Sequence, residues 1–336
     1  MSMARPPVNM SDVAARAGVG MATVSRALKG APGVSEATRE RVRAIAQEIG
    51  YVVSPEASRL ARGETGRIAV VVSHLSRWFF AEMLDAIETT LRAAELDILL
   101  YQVPDARSRH AFFEELPARR KVDAVIVVGL PVDPREQRQL ESMGVHIVAA
   151  GGQTAGFPYV RIDDEEASRL AIDHLIALGH TRIGMIEAIN PDTPDWPVRL
   201  GRSEGYHAAV REAGIDDDPD LVVRVPWGGE FGAEAMGALL GLRHPPTAVY
   251  AHSDEIALGA MRTLRRLGLD VPGDLSIVGI DDHPLAELCD LTTIGQSVAE
   301  QGRIAARMTL DLVHGRAVES ATIPVALIVR RSTRRL

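Results

Sequence analysis

The chain has 336 residues and 46% hydrophobic content, enough for a large core and more than one domain; a single cysteine, Cys289, excludes an internal disulfide framework. No apolar stretch reaches membrane-spanning length and no charged-then-apolar secretory leader is present, so a cytoplasmic protein with no membrane partner is expected. The net charge of -8 argues against nucleic-acid binding only as an average: residues 1–63 hold nine Arg and Lys against five Asp and Glu, for +4, and the remainder stands at -12, the asymmetry of a basic head on an acidic body.

Residues 1–8 form a short lead with Arg5 and two prolines. The stretch NMSDVAARAGVGMATVSRAL, Asn9 to Leu28, then places two short amphipathic helices around a tight turn. Asn9 is suited to the N-cap, with Asp12 three residues on at the positive helix end; Val13, Ala14 and Ala17 make the apolar face, and Gly18 ends the helix. A second helix from Met21 turns Val24, Ala27 and Leu28 inward and leaves Met21, Ala22, Thr23, Ser25 and Arg26 on other faces. That spacing fits a helix-turn-helix, whose second helix enters the major groove, or an ordinary helical hairpin. Ser35 caps a third helix with Val42, Ile45, Ala46 and Ile49 on one stripe and Gly50 at its end. In SPEASRLARG, Ser54 and Pro55 suit a helix start, but about two turns are too short to hold alone. The large apolar residue there, Leu60, is either a linker residue docked on the body or a wedge for a DNA step.

From Ile68 the texture becomes short apolar runs alternating with helical stretches. IAVVVS, DILLYQV, DAVIVVG, VHIVAAG, RIGMIEA, LVVRV, TAVYA and LSIVGI read as buried strands, with helices such as Phe80 to Ala94, Ala167 to Leu178 and Glu255 to Leu267 between them. Strict alternation over about 270 residues predicts two doubly wound parallel-sheet subdomains, with ligands bound beyond the carboxyl ends of the strands. No G-x-G-x-x-G or G-x-x-x-x-G-K-[ST] phosphate loop and no G-x-S-x-G elbow occurs, which removes support for a kinase or hydrolase. His174 and His180 are six apart, a poor metal spacing, and read as packing or surface histidines. No cofactor and no catalytic or metal-binding residue is assigned.

DVAARAGV followed by ATVSRAL, VSEATRERVRAIAQEIGY, LxxG near Leu60, HLIALGHTRIGMI, LGLDVPGDLSIVGIDD, LTTIGQ and the closing VRRST occur in this order. Together they resemble the LacI/GalR family of bacterial transcriptional repressors along almost the whole chain. The resemblance implies an all-α helix-turn-helix headpiece at 1–53, a hinge helix at 54–65 and a periplasmic-binding-protein-like α/β body at 66–336. Within the body it implies an N-subdomain of about 66–157 and 295–322 and a C-subdomain of about 158–294 and 323–336. It also implies a homodimer on a pseudo-palindromic double-stranded DNA operator, released by a small-molecule effector, a sugar; no heptad tail follows VRRST to build a tetramer.

Carried over by position, Met21, Ala22 and Arg26 are implied base readers, with Arg26 suited to a bidentate pair with guanine. Asn9, Thr23 and Ser25 are implied backbone contacts and Leu60 the minor-groove wedge. Ser73, Phe79, Phe80, Arg202, Phe231, Ser253 and Asp281 are the implied effector-binding set, with Trp78 and Trp196 as further aromatic surface. Asp163 and Asp164 fit either helix caps or the cleft. The sequence departs from the family at Gly20, where a Ser or Thr usually caps the reading helix, at Val53 and Pro55, where the usual proline is displaced, and at Glu56 in the hinge. A corepressor-type effector and a solute-binding module without DNA function are the alternatives.

Overall fold

The described residues of the first of two units, Met1–Gly66, include three helices; the second unit is Arg67–Leu336. The computed structural model describes residues 8–51, 64–152, 156–189 and 201–336. The expected hinge positions Val53, Ser54, Pro55, Glu56 and Leu60, and also Arg5 and Trp196, lie outside these residues.

In the first unit α1 (Met10–Ala17) starts on a reciprocal cap. The Asn9 side chain accepts from the Ser11 and Asp12 amides at 2.9 and 3.3 Å, and Asp12 accepts from the Asn9 amide at 2.9 Å. Gly18 closes the helix at φ +64°, a left-handed conformation that glycine adopts without a Cβ clash. α2 (Met21–Leu28) follows, and α3 (Glu36–Glu48) is capped by Ser35. Val13, Val24, Ala27 and Val42 are fully buried, with Leu28, Ile45 and Ile49 packed around them. Helices of eight residues are unstable in isolation, so this shared core is what holds them.

The second unit contains two six-stranded sheets. The first has the order β11-β5-β4-β3-β1-β2, from β1 (Arg67–Val72), β2 (Asp97–Gln102), β3 (Ala124–Val128), β4 (His146–Ala150), β5 (Tyr159–Ile162) and β11 (Ala321–Ile323). The second has the order β12-β10-β9-β8-β6-β7, from β6 (Ile183–Ile189), β7 (Val222–Pro226), β8 (Ala248–Ala251), β9 (Ser276–Asp281), β10 (Thr292–Gly295) and β12 (Ala326–Ile328). All pairings are parallel except β10 with β12. In β1, Ile68, Val70 and Val72 enter one core while Ala69 and Val71 enter another, which is why the strand is an unbroken apolar run.

The intervening helices are α4 (Trp78–Ala93), α5 (Ala106–Glu115), α6 (Pro134–Glu141), α7 (Asp164–Ala177), α8 (Arg202–Glu212), α9 (Gly229–Leu240), α10 (Asp254–Arg266), α11 (Pro284–Leu288) and α12 (Val298–Val313). The doubly wound architecture expected from the alternation is therefore present, with one correction to the subdomain limits. Because β5 pairs with β4, the chain leaves the first sheet after Ile162 and not at 157/158; likewise β11 keeps Ile323 in the first sheet. The helices expected from Phe80, Ala167 and Glu255 each begin earlier, at Trp78, Asp164 and Asp254; in the latter two the polar caps Asp163 and Ser253 satisfy free amides upstream of the apolar stripe, while the first has no side-chain cap.

Candidate functional sites

On α2 the expected reading face is open. Met21 is 55% exposed and Ala22 and Arg26 are exposed, while Thr23 and Ser25 are half-buried and Val24 and Ala27 face the core. Gly20 takes the N-cap position without a side-chain hydrogen bond to the helix. Arg26 lies along its own helix, donating from Nε to the Ala22 carbonyl at 3.3 Å, with Nη1 beside Gly33. The Nε bond leaves the Nη1 and Nη2 groups as the donors for a bidentate contact with guanine. Asn9 already uses its side-chain oxygen in the α1 cap, so its amide N–H group is what it has to offer a phosphate.

The second unit holds a cavity of about 530 Å³ at the carboxyl ends of strands from both sheets. Ser73 follows β1, Trp227 follows β7, Ser253 follows β8, and Asp281 ends β9. All seven expected effector residues, Ser73, Phe79, Phe80, Arg202, Phe231, Ser253 and Asp281, line this cavity, as does Trp78. The rings of Phe79 and Phe80 meet edge to face at 5.3 Å. They fit because two strand-end glycines with positive φ leave room: a Cβ on Gly129 would lie 2.8 Å from Phe80 Cε1, and one on Gly151 would lie 2.5 Å from Phe79 Cζ.

Arg202, at the start of α8, is buried and fixed by two partners. Its Nε donates to Asp164 Oδ1 at 2.7 Å and its Nη1 donates to the His252 carbonyl. Burial alone would lower the guanidinium's pKa, but the Asp164 and Asp281 carboxylates hold it above its ordinary value. Burial pushes Asp164 up despite this ion pair. Asp164 thus belongs to the cleft, whereas Asp163 caps α7, accepting from the Glu165 and Glu166 amides at 3.1 Å.

Asp281 has φ +135°, a strained region for a non-glycine residue that costs on the order of 1–3 kcal/mol and recurs at functional sites. Its carboxyl accepts from Gln296 Nε2 at 2.6 Å, and burial raises its pKa to about 8. The adjoining Asp254 accepts from Thr293 Oγ1 at 2.6 Å and the His283 amide at 2.8 Å and is pushed by burial to about 7. Burial thus disfavours the charged form of both carboxyls on this wall. Ser253 also caps α10 through the Ile256 amide at 3.3 Å, and Phe80 is mostly core, so these two divide their surface between packing and cavity.

Sequence reasoning missed His252, Gln296, Gln301, Glu187 and Trp227, all of which line the cavity. His252, Gln296 and Trp227 sit immediately after strands and were findable by that rule; Gln301 lies inside α12 and carries no such signal. His174 and His180 pack as expected, His174 on Thr333 at 2.9 Å and His180 on Thr247 and Ser276 at 2.9 and 3.1 Å.

A three-helix unit with an exposed second helix, followed by a two-sheet body with a polar cleft, defines a ligand-responsive DNA-binding regulator. The sequence description "Bacterial regulatory proteins, lacI family" matches residues 9–54, and "Periplasmic binding protein-like domain" matches residues 172–333. The chain is 38% identical over 335 residues to the HTH-type transcriptional repressor CytR of Escherichia coli strain K12, covering 97% of this chain and 96% of that protein. It is 35% identical over 340 residues to the HTH-type transcriptional regulator MalR of Streptomyces coelicolor, covering 96% of each. Among solved structures, the lac repressor dimer bound to operator and the anti-inducer ONPF matches with a TM-score of 0.82 at 28% identity, and the CelR–cellobiose complex with 0.70 at 32%. Each comparison covers 98% of this chain and 100% of the other. The chain belongs to the LacI family of bacterial transcriptional regulators. Its relatives are regulators of transcription and not enzymes, and among the described residues no helix is long and apolar enough to cross a membrane.

Proposed function

We propose that this chain is a cytoplasmic, homodimeric repressor that binds a pseudo-palindromic operator and is released from it by a sugar in the cleft of residues 67–336. In this reading Met21, Ala22 and Arg26 meet base edges, Asn9, Thr23 and Ser25 fix the register on phosphates, and Leu60 wedges the minor groove at the operator centre. Ser73, Phe79, Phe80, Arg202, Phe231, Ser253 and Asp281 contact the effector, joined by Asp164. Arg202 holds hydroxyls through charge-assisted hydrogen bonds, Asp281 through hydrogen bonds to its carboxyl group, and an aromatic ring covers an apolar ligand face.

The observation that carries the reading is the occurrence, in one chain, of an exposed α2 face and a strand-end cleft with a buried Arg202–Asp164 pair. The sugar class is supported by the CelR relative, which is solved with cellobiose. The two-fold arrangement is supported by the lac repressor dimer on its operator. Release follows if the effector favours the conformation that binds DNA poorly, and it extends only as far as that difference in affinity. The test is to select an operator from random DNA with the full chain and titrate the complex with ribose and cellobiose. A selected palindrome released by a sugar is expected; no enriched sequence refutes the DNA assignment, and a complex indifferent to both refutes the sugar class as framed.

A further inference from the structure

Among the described residues four buried side-chain polar atoms have no hydrogen-bond partner, and three belong to residues lining the cleft: His252 Nε2, Gln301 Oε1 and Arg161 Nε. Buried polar groups in native proteins are nearly always satisfied, so three orphans around one cavity point to a ligand that completes them.

Their chemistry is defined by their other bonds. His252 is 3% exposed, and its Nδ1 accepts the Ala188 N–H at 3.2 Å, so the ring carries its hydrogen on Nε2. Burial, reinforced by neighbouring Arg202, holds this imidazole neutral. Gln301 is fully buried; its amide N–H donates to Gln296 Oε1 at 3.2 Å, and Gln296 in turn donates to Asp281, which leaves Gln301 Oε1 as an open acceptor. The third orphan belongs to a guanidinium stacked on Tyr159 at 4.7 Å. Three guanidiniums that line the cleft are paired with carboxylates: Arg202 with Asp164 at 2.7 Å, Arg224 with Glu187 at 2.8 Å and Arg109 with Glu136 at 2.7 Å. An ionic ligand would leave water for a wall in which Arg202, Arg224 and Arg109 already hold carboxylates.

We propose that His252 and Gln301 are specificity-determining residues for an uncharged effector, which presents an acceptor atom to His252 Nε2–H and a hydroxyl or N–H donor to Gln301 Oε1. This rests on the reading of the cleft as the effector site. It adds to that reading two contacts that select against ligands lacking the complementary pair, because such ligands leave both groups orphaned.

The test uses the full chain and three matched pairs of compounds: ribose and ribose 5-phosphate, cellobiose and cellobionate, uracil and orotate. Calorimetric titration is expected to show at least one uncharged member binding at least about tenfold more tightly than its charged counterpart. For that compound His252→Phe should weaken binding about ten- to hundredfold, the equivalent of one unsatisfied buried group, while His252→Gln, which restores an N–H, stays within a few-fold. Gln301→Met should weaken it similarly. Binding by charged members alone, no binding by any uncharged member, or wild-type affinity in His252→Phe would each overturn the proposal. Should His252→Phe fail to fold, the ¹⁵N resonance of His252 Nε2 in the wild-type chain decides: a shift on saturation with the bound compound supports the contact, and an unmoved resonance overturns it. Binding to the selected operator is measured alongside without ligand. Its absence refutes the regulator reading, whereas its presence with failed ligand results refutes only this inference.

Discussion

Replacing Arg202 with Met removes the positive half of the buried Arg202–Asp164 pair and leaves a carboxylate whose side chain is 9% exposed with no partner at Nε distance. Breaking such a pair from one side costs about 3–5 kcal/mol. Protonation of Asp164 limits the carboxylate's share of that cost. Relative to an unfolded pKa of about 3.9, neutralising an Asp costs about 4 kcal/mol at pH 7 but only about 1.5 kcal/mol at pH 5. A raised folded-state pKa means that stability is present below the unfolded value and falls as pH rises, so the Met variant's deficit should shrink by up to about 2.7 kcal/mol between pH 7 and pH 5. All three tryptophans, Trp78, Trp196 and Trp227, lie in Arg67–Leu336, so urea unfolding followed by tryptophan fluorescence reads this unit alone. Adding Asp164→Asn to Arg202→Met should recover part of the loss at pH 7, while neither variant is released from operator by the effector. A deficit independent of pH, or a double variant no better than the single one at pH 7, would refute the electrostatic account of this pair.

Asp281→Asn should flatten the fall in body stability with pH. Burial raises the Asp281 pKa to about 8, so its contribution is full below about pH 4 and is lost as pH climbs through about 8; thermal midpoints from pH 5 to 8 test this, and an unchanged slope in the Asn variant argues against it. Gly20→Ser should stabilise the first unit by roughly 0.3–1 kcal/mol, because Gly20 has an extended φ of -69°, nothing stands within 4 Å of a new Cβ, and serine supplies the missing α2 cap. Circular dichroism melting of the helical signal checks it, and a lower midpoint would show that the site does not accept a cap.

The helix ends of the first unit were legible because each depends on one local residue: Asn9, Gly18 and Ser35 act as caps within three residues of the amides or turns they serve. Most strands of the body were legible as apolar runs; β10, buried but built on Thr292 and Thr293, was not. β5 escaped that rule because Tyr159 and Arg161 alternate with Val160 and Ile162, and the consequence was a misplaced crossing between the sheets. The cleft was legible to the extent that its residues follow strands. What joins them was not, since the Arg202–Asp164 pair spans 38 positions and the Gln301–Gln296–Asp281 relay links a helix interior to two strand ends. Such partners become neighbours only through the sheet order, which no local pattern encodes.

The central claim, that α2 reads DNA for this regulator, is tested most directly by comparing wild type and Arg26→Ala for a selected operator and for random DNA at one fixed salt concentration. The account predicts that the variant loses about 1–3 kcal/mol of discrimination per guanine contact while its affinity for random DNA is little changed, since phosphate contacts supply most of the latter. Undiminished preference for the operator in Arg26→Ala would contradict it.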